Sequence, residues 1–295
     1  YHDKWTDHEY HMLHHGWVGY RFEDGSEVQL GVHRVPFGIL PYASHSYWFQ
    51  MPYYVGLEDD YDLGIKYKTT LDQFDIRLAY YITDEGQYHG DSADSARYSY
   101  DAVDVYEEQH HVNARVAYTF EHGENGTSEL GLSLQGGKID KDGGDDGEDY
   151  AAALHLNGNY GRWGTKCEVV WYDYDVDDDE FIMMGAYDFP YNVASSGVMY
   201  CAGLSYTLPV DLGPVKSVTF YDDYTYFDKD NDFPASQQNV LGMSFAAGRF
   251  FIYVDFVSAK NHAWFGNWAN GFADSDLGAD TSWNNRFNVN IGYYF

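Results

Sequence analysis

Apolar and polar side chains alternate along most of this chain with a period of two. The last nine residues show it most cleanly. Phe287, Val289, Ile291, Tyr293 and Phe295 share one face of an extended segment, while Asn288, Asn290 and Gly292 share the other. Upstream rows repeat the spacing: Tyr61, Leu63, Ile65, Tyr67; Phe74, Ile76, Leu78, Tyr80; Val112, Ala114, Val116, Tyr118; Leu130, Leu132, Leu134; Phe250, Ile252, Val254, Phe256. Each strand thus offers one apolar face, and these faces are too numerous to share a single core. A closed sheet whose outer face meets lipid accommodates them all. No run approaches the roughly 18 apolar residues of a membrane helix.

The connections alternate in length. Short joints at 23–26, 68–72, 122–127, 159–162 and 247–249 alternate with long polar ones at 36–60, 84–107, 139–148, 174–195, 228–236 and 261–281. This predicts one all-β domain over 1–295: a transmembrane antiparallel up-and-down β-barrel with short periplasmic turns and long extracellular loops. The count is 13 strands, or 14 if residues 1–10 form one. An even-numbered barrel that starts in the periplasm needs one or three more strands ahead of those read here.

Composition fits this reading. Aromatic residues make up 19% of the chain, with 30 Tyr and 18 Phe, yet mean hydropathy is −0.51. Barrels reach that combination because half of each strand faces water and aromatic girdles mark both interfaces. The net charge of −30, from 47 acidic and 17 basic residues, disfavours a nucleic-acid role and predicts cation preference if enough acids line the pore. Acidic loops that merely keep the protein soluble are the alternative.

The segment His15-Gly16-Trp17-Val18-Gly19-Tyr20-Arg21-Phe22, followed by Val28 to Gly38 with its Val35-Pro36-Phe37-Gly38 end, resembles the strand–turn–strand pattern of Gram-negative outer-membrane porins, as does the terminal Phe295. The resemblance covers about a tenth of the chain. It implies a bacterial outer-membrane location, contact with outer-membrane lipid and lipopolysaccharide, a homotrimer, and a complete barrel of about 16 strands. It also implies that residues 36–60 fold inward as a constriction loop. The usual cluster of wall arginines is thin here, which leaves solute preference open.

Candidate pore residues follow from the inward parity. Lys66, Arg77 and Arg115, on three successive strands, are expected to form a basic ladder; Glu58, Asp59 and Asp60, ending the constriction loop, are expected to face it and set up a transverse field. Asp62 and Asp75 are also inward, with Glu129, Asp223 and Asp255. The bland reading is that such groups only solvate a wide, water-filled lumen. No cofactor is expected beyond a loop-bound Ca²⁺ or Mg²⁺. The weak candidate is Asp228, Asp230 and Asp232, whose run lacks the glycine and closing glutamate of a calcium loop. His2, His8, His11, His14 and His15 stand as a second, weaker metal candidate or a titrating rim. Cys167 and Cys201 lie on neighbouring strands, so either a disulfide or two free thiols is open. No GxSxG nucleophile motif occurs, and an enzyme is not expected. The expected function is passive diffusion of small hydrophilic solutes and ions. Selective uptake of sugars or organic acids, and a plugged scaffold, adhesin or rim-site enzyme, are the alternatives.

Overall fold

The computed structural model describes residues 2–3, 8–9, 12–86, 97–176, 179–187, 189–266, 272 and 282–295. In chain order the strands are β1 (His2–Asp3), β2 (His8–Glu9), β3 (Gly16–Arg21), β4 (Glu27–Arg34), β5 (Tyr61–Leu71), β6 (Phe74–Asp84), β7 (Asp101–Ala102), β8 (Tyr106–Glu121) and β9 (Thr127–Lys141). They continue with β10 (Gly147–Tyr160), β11 (Trp163–Asp175), β12 (Phe181–Ala186), β13 (Phe189–Ala194), β14 (Ser196–Leu212), β15 (Val215–Lys229), β16 (Ser236–Ala247), β17 (Phe250–Lys260) and β18 (Asn284–Tyr293). Thirteen of them, all but β1, β2, β7, β12 and β13, form one sheet in which every strand pairs with its chain neighbours in the sheet. All these pairings are antiparallel, which is the up-and-down order expected from the alternation. The strands β7, β12 and β13 form a small separate sheet built from two of the long connections.

Register carries the apolar rows across the sheet. Leu78 faces Ala114, which faces Leu134, then Ala152, Trp171 and Val198. Leu241, Phe256 and Phe287 make a second such row. These outward residues are exposed, with Leu78 at 50%, Leu154 at 55% and Ile291 at 61%, whereas inward Arg115 is at 1% and Ser133 and Asp255 at 0%. Polar residues are inside and large aliphatics outside, the inverse of a water-soluble sheet, so the outer face is built for an apolar phase.

Aromatic residues cluster where the short turns begin. Ring centroids lie 4.7 Å apart for Phe74 and Tyr118, 4.8 Å for Trp163 and Tyr206, and 5.1 Å for Phe250 and Tyr293. A girdle at one water–lipid boundary has this composition. An acid interrupts the outward rows: exposed Asp222 stands between Leu204 and Leu241 and accepts a hydrogen bond from Asn239 Nδ2 at 2.6 Å.

At the long-loop end the interior is filled, not open. The connection between β4 and β5 turns inward and carries a single helical turn, α1 (Met51–Tyr54). Met51, Val55 and Leu57 pack with Ile182 and Met184 of β12, with Val193 of β13, and with wall residues Tyr172 and Phe227 in one buried cluster. The expected wide, water-filled lumen is therefore replaced at this end by a packed core like that of a soluble domain.

Candidate functional site: an infolded loop between two cavities

The loop from 35 to 60 is drawn into a ring by its own ends, since Val35 N–H donates to Asp60 O at 2.9 Å. From there it crosses the inner wall strand by strand. Gly38 N–H donates to Ser133 Oγ at 3.1 Å, and Arg115 Nε donates to Gly38 O at 2.8 Å. Ile39 N–H donates to Glu168 Oε1 at 3.1 Å, and Lys166 Nζ caps the carbonyls of Tyr42 and Ser44 at 2.7 and 2.9 Å. The Asp223 carboxylate then accepts from His45 N–H and Ser46 N–H at 2.7 and 3.0 Å, with His45 Nδ1 at 2.7 Å from its other oxygen. Gln238 Nε2 holds Phe49 O at 2.8 Å. Polar inward residues of β8, β9, β11, β15 and β16 thus satisfy a loop backbone that would otherwise lie buried without partners. Gly38 is obligatory in this path: its φ is +60, and a Cβ there would sit 2.3 Å from Glu168 Oε1.

The expected pore charges are arranged differently from the sequence reading. Arg115 is not a free wall charge. It bridges Asp75 Oδ1 at 3.0 Å and Glu129 Oε1 at 2.7 Å while holding the loop. Arg77 is paired with Asp75 on its own strand at 2.8 Å. Lys66 Nζ donates to Arg34 O at 2.6 Å. Glu58, Asp59 and Asp60 do not confront these three. Glu58 accepts from Ala43 N–H inside the loop at 2.7 Å, and Asp59 pairs with Arg34 at 2.6 Å. Asp60 accepts from Tyr61 N–H at 2.7 Å and lies with Asp62 in a separate buried group. Burial, then the nearby Glu168, push the Glu58 carboxyl well above the usual carboxylate range; burial likewise raises Asp59. The acids counted as lumen charge are thus mostly locked in packing: Asp62 is at 2% exposure and Asp223 at 1%.

Among the described residues, two cavities stand out beside the loop. One, of about 290 Å³, has basic walls, with Arg34, Lys66, Lys68 and Arg77 beside His33 and Trp17. The other, of about 580 Å³, is lined by tyrosines 42, 47, 53, 54, 98, 100, 187, 253 and 294, with Trp48, Trp264 and His45. Arg34 stands between them, 5.2 Å from the ring centroids of both Tyr42 and Tyr61.

Solved structures share this architecture. An anion-selective porin from Comamonas acidovorans matches with a TM-score of 0.59 at 17% identity, over 95% of this chain and 77% of that one. OmpT of Vibrio cholerae, in its trimer form, matches at 0.57 and 14% identity, over 95% and 80%. The outer-membrane channel DcaP of Acinetobacter baumannii matches at 0.55 and 11% identity, over 91% and 71%. The chain has a porin fold. No protein-family model and no curated protein matches the sequence.

Within this porin fold the remaining sequence candidates separate. Asp228, Asp230 and Asp232 do not gather: all three are exposed, and Asp230 Oδ2 accepts from Ser196 Oγ at 2.8 Å. The three-carboxylate group found among the described residues is Asp60, Asp62 and Asp101. His11 and the side chains of His2 and His8 lie outside the described residues. His14 and His15 are in ring contact at 4.6 Å, and neither joins a group of metal-ligating side chains among the described residues. Cys167 is opposite Ala202 and Cys201 opposite Glu168, so the thiols sit on opposite faces and are free. The anchors Lys166, Glu168 and Gln238 were missed, although they sit on the inward parity; Arg34 and Asp101 carried no such signal.

Proposed function

We propose that the protein is an outer-membrane diffusion channel for small hydrophilic solutes and ions, assembled as a homotrimer with lipid and lipopolysaccharide against its outer face. The observation that carries the reading is the infolded loop: hydrogen-bonded across the inner wall, it crosses the sheet's interior beside two cavities while the outer face stays apolar. The reading assigns no catalytic step. Its ion preference is for cations, and the source is the rim, where Asp142, Asp145, Asp146, Glu148, Asp228 and Asp230 are exposed at the long-loop end. The basic cavity opposes this, so the preference is weak. Reversal potentials in planar bilayers under a salt gradient test it: an ohmic conductance with a modest cation-positive potential is expected, and a folded barrel without conductance would overturn the channel.

A second reading has its own support. Stacked rings such as Phe49 over Tyr53, 4.0 Å between centroids, together with the hydroxyls of the larger cavity, suit the apolar face and polar edge of a sugar. Conductance block by a panel of sugars and organic acids distinguishes selective uptake from general diffusion.

A further inference from the structure

A knot of carboxylates lies where the returning loop meets the wall. One oxygen each of Asp60, Asp62 and Asp101 lies within 4.8 Å of the other two, and the three residues are exposed by 4%, 2% and 0%. They come from three separate pieces of structure: the end of the infolded loop, the wall strand β5, and β7 of the small sheet. Asp62 Oδ1 and Asp101 Oδ1 are buried with no hydrogen-bond partner among the described residues. Single orphaned oxygens also occur on buried Glu58, Glu85 and Asp255, but no other set of three ligand oxygens converges among the described residues. The surrounding cations are already engaged: Arg97 contacts Asp84 and lies 3.2 Å from Asp101 Oδ2, and His111 lies between Glu108 and Asp149 at 3.5 and 3.1 Å. Glu85 adds a seventh carboxylate and is held by Tyr98 N–H and by Ser99 N–H and Oγ. Among the described residues, seven acids here stand against one guanidinium and one imidazole.

We propose that Asp60, Asp62 and Asp101 bind a calcium ion that bolts the infolded loop and the small sheet to the barrel wall. An all-carboxylate set selects a hard cation over a transition metal, which would seek imidazole or thiolate. Calcium suits it better than magnesium, because calcium tolerates irregular oxygen geometry and few retained waters. The ion would supply the partner that the two orphaned oxygens lack.

The test uses the full chain, folded in detergent and stripped with a chelator, titrated calorimetrically with CaCl₂ and melted with and without it. Binding is expected at one site that raises Tm, and the Asp62→Asn/Asp101→Asn variant is expected to weaken it at least about tenfold and to melt alike in calcium and chelator. Removing repelling charge favours folding of this variant, and Asp60→Asn gives an independent second reading. Asp228→Asn/Asp230→Asn, on the rim, should leave the calcium effect intact. A wild-type melt indifferent to calcium would overturn the site, as would a calcium shift that survives in both cluster variants. An equal shift with MgCl₂ would overturn the choice of ion.

Discussion

His262 shows how a single buried ring reports the state of the interior. Its Nε2 is 2.7 Å from Gln238 Oε1, and Trp264 N–H donates to its Nδ1 at 3.1 Å. This pattern is satisfied only by the neutral ring with the proton on Nε2, because a second proton on Nδ1 would oppose the Trp264 N–H. Burial, followed by the charges of Lys229 and Arg286, lowers its pKa from 6.5 to about 3. The unfolded chain therefore binds a proton that the folded one refuses between those values. Stability from this residue is complete above pH 6.5 and is lost as pH falls towards 3. His262→Gln, which cannot titrate, should flatten the acid limb of a pH–Tm profile in that window. An unchanged limb would place the acid sensitivity elsewhere.

At the scale of elements, the infolded loop is held by side chains spaced along the wall, and Asp223 carries the densest contact. Asp223→Ala removes the acceptor for two backbone N–H groups and the partner of His45, each a charge-assisted bond of about 1.5–3 kcal/mol. The barrel should still form, because Asp223 takes no part in the strand ladder through its side chain. The loop's far end should detach and the single-channel conductance should rise and flicker; an unaltered trace would show that the remaining anchors suffice. The strands themselves were legible in the sequence because lipid and lumen enforce a strict period of two, as at Leu130, Leu132 and Leu134 against Ser133 and Gln135. The site was legible only in part. Parity shows that Arg115 and Asp223 point inward, but not whether each meets water or a loop arriving from over a hundred residues away in the case of Asp223. Glu58 to Asp60 read as pore charges because the end of an inward constriction loop is expected to meet pore water; here Glu58 is tied to Ala43 N–H and Asp59 to Arg34 within the packing. Asp101 lies in a connection with no periodicity, so nothing along the chain places it beside Asp60 and Asp62.

For the molecule as a whole, the decisive question is which phase meets the outer face, and neighbouring positions on one strand separate the answers. Leu154 and Asn157 both lie on β10, three residues apart and therefore on opposite faces, Leu154 outward at 55% exposure. In water, an arginine at an exposed leucine position costs almost nothing. Against hydrocarbon near the bilayer midplane it costs about 2–4 kcal/mol, while a charge on the inner face alters selectivity instead. Leu154→Arg should therefore lose stability of that order in urea titrations of protein folded into lipid vesicles. Asn157→Arg should leave the titration nearly unchanged but move the reversal potential towards anions. A Leu154→Arg protein as stable as the parent would mean that the exposed aliphatic rows are covered by something other than lipid at that position. If Asn157→Arg folds and leaves the reversal potential unmoved, ions do not pass that part of the wall, and the path through the barrel must run on the other side of the loop, along the tyrosine-lined cavity.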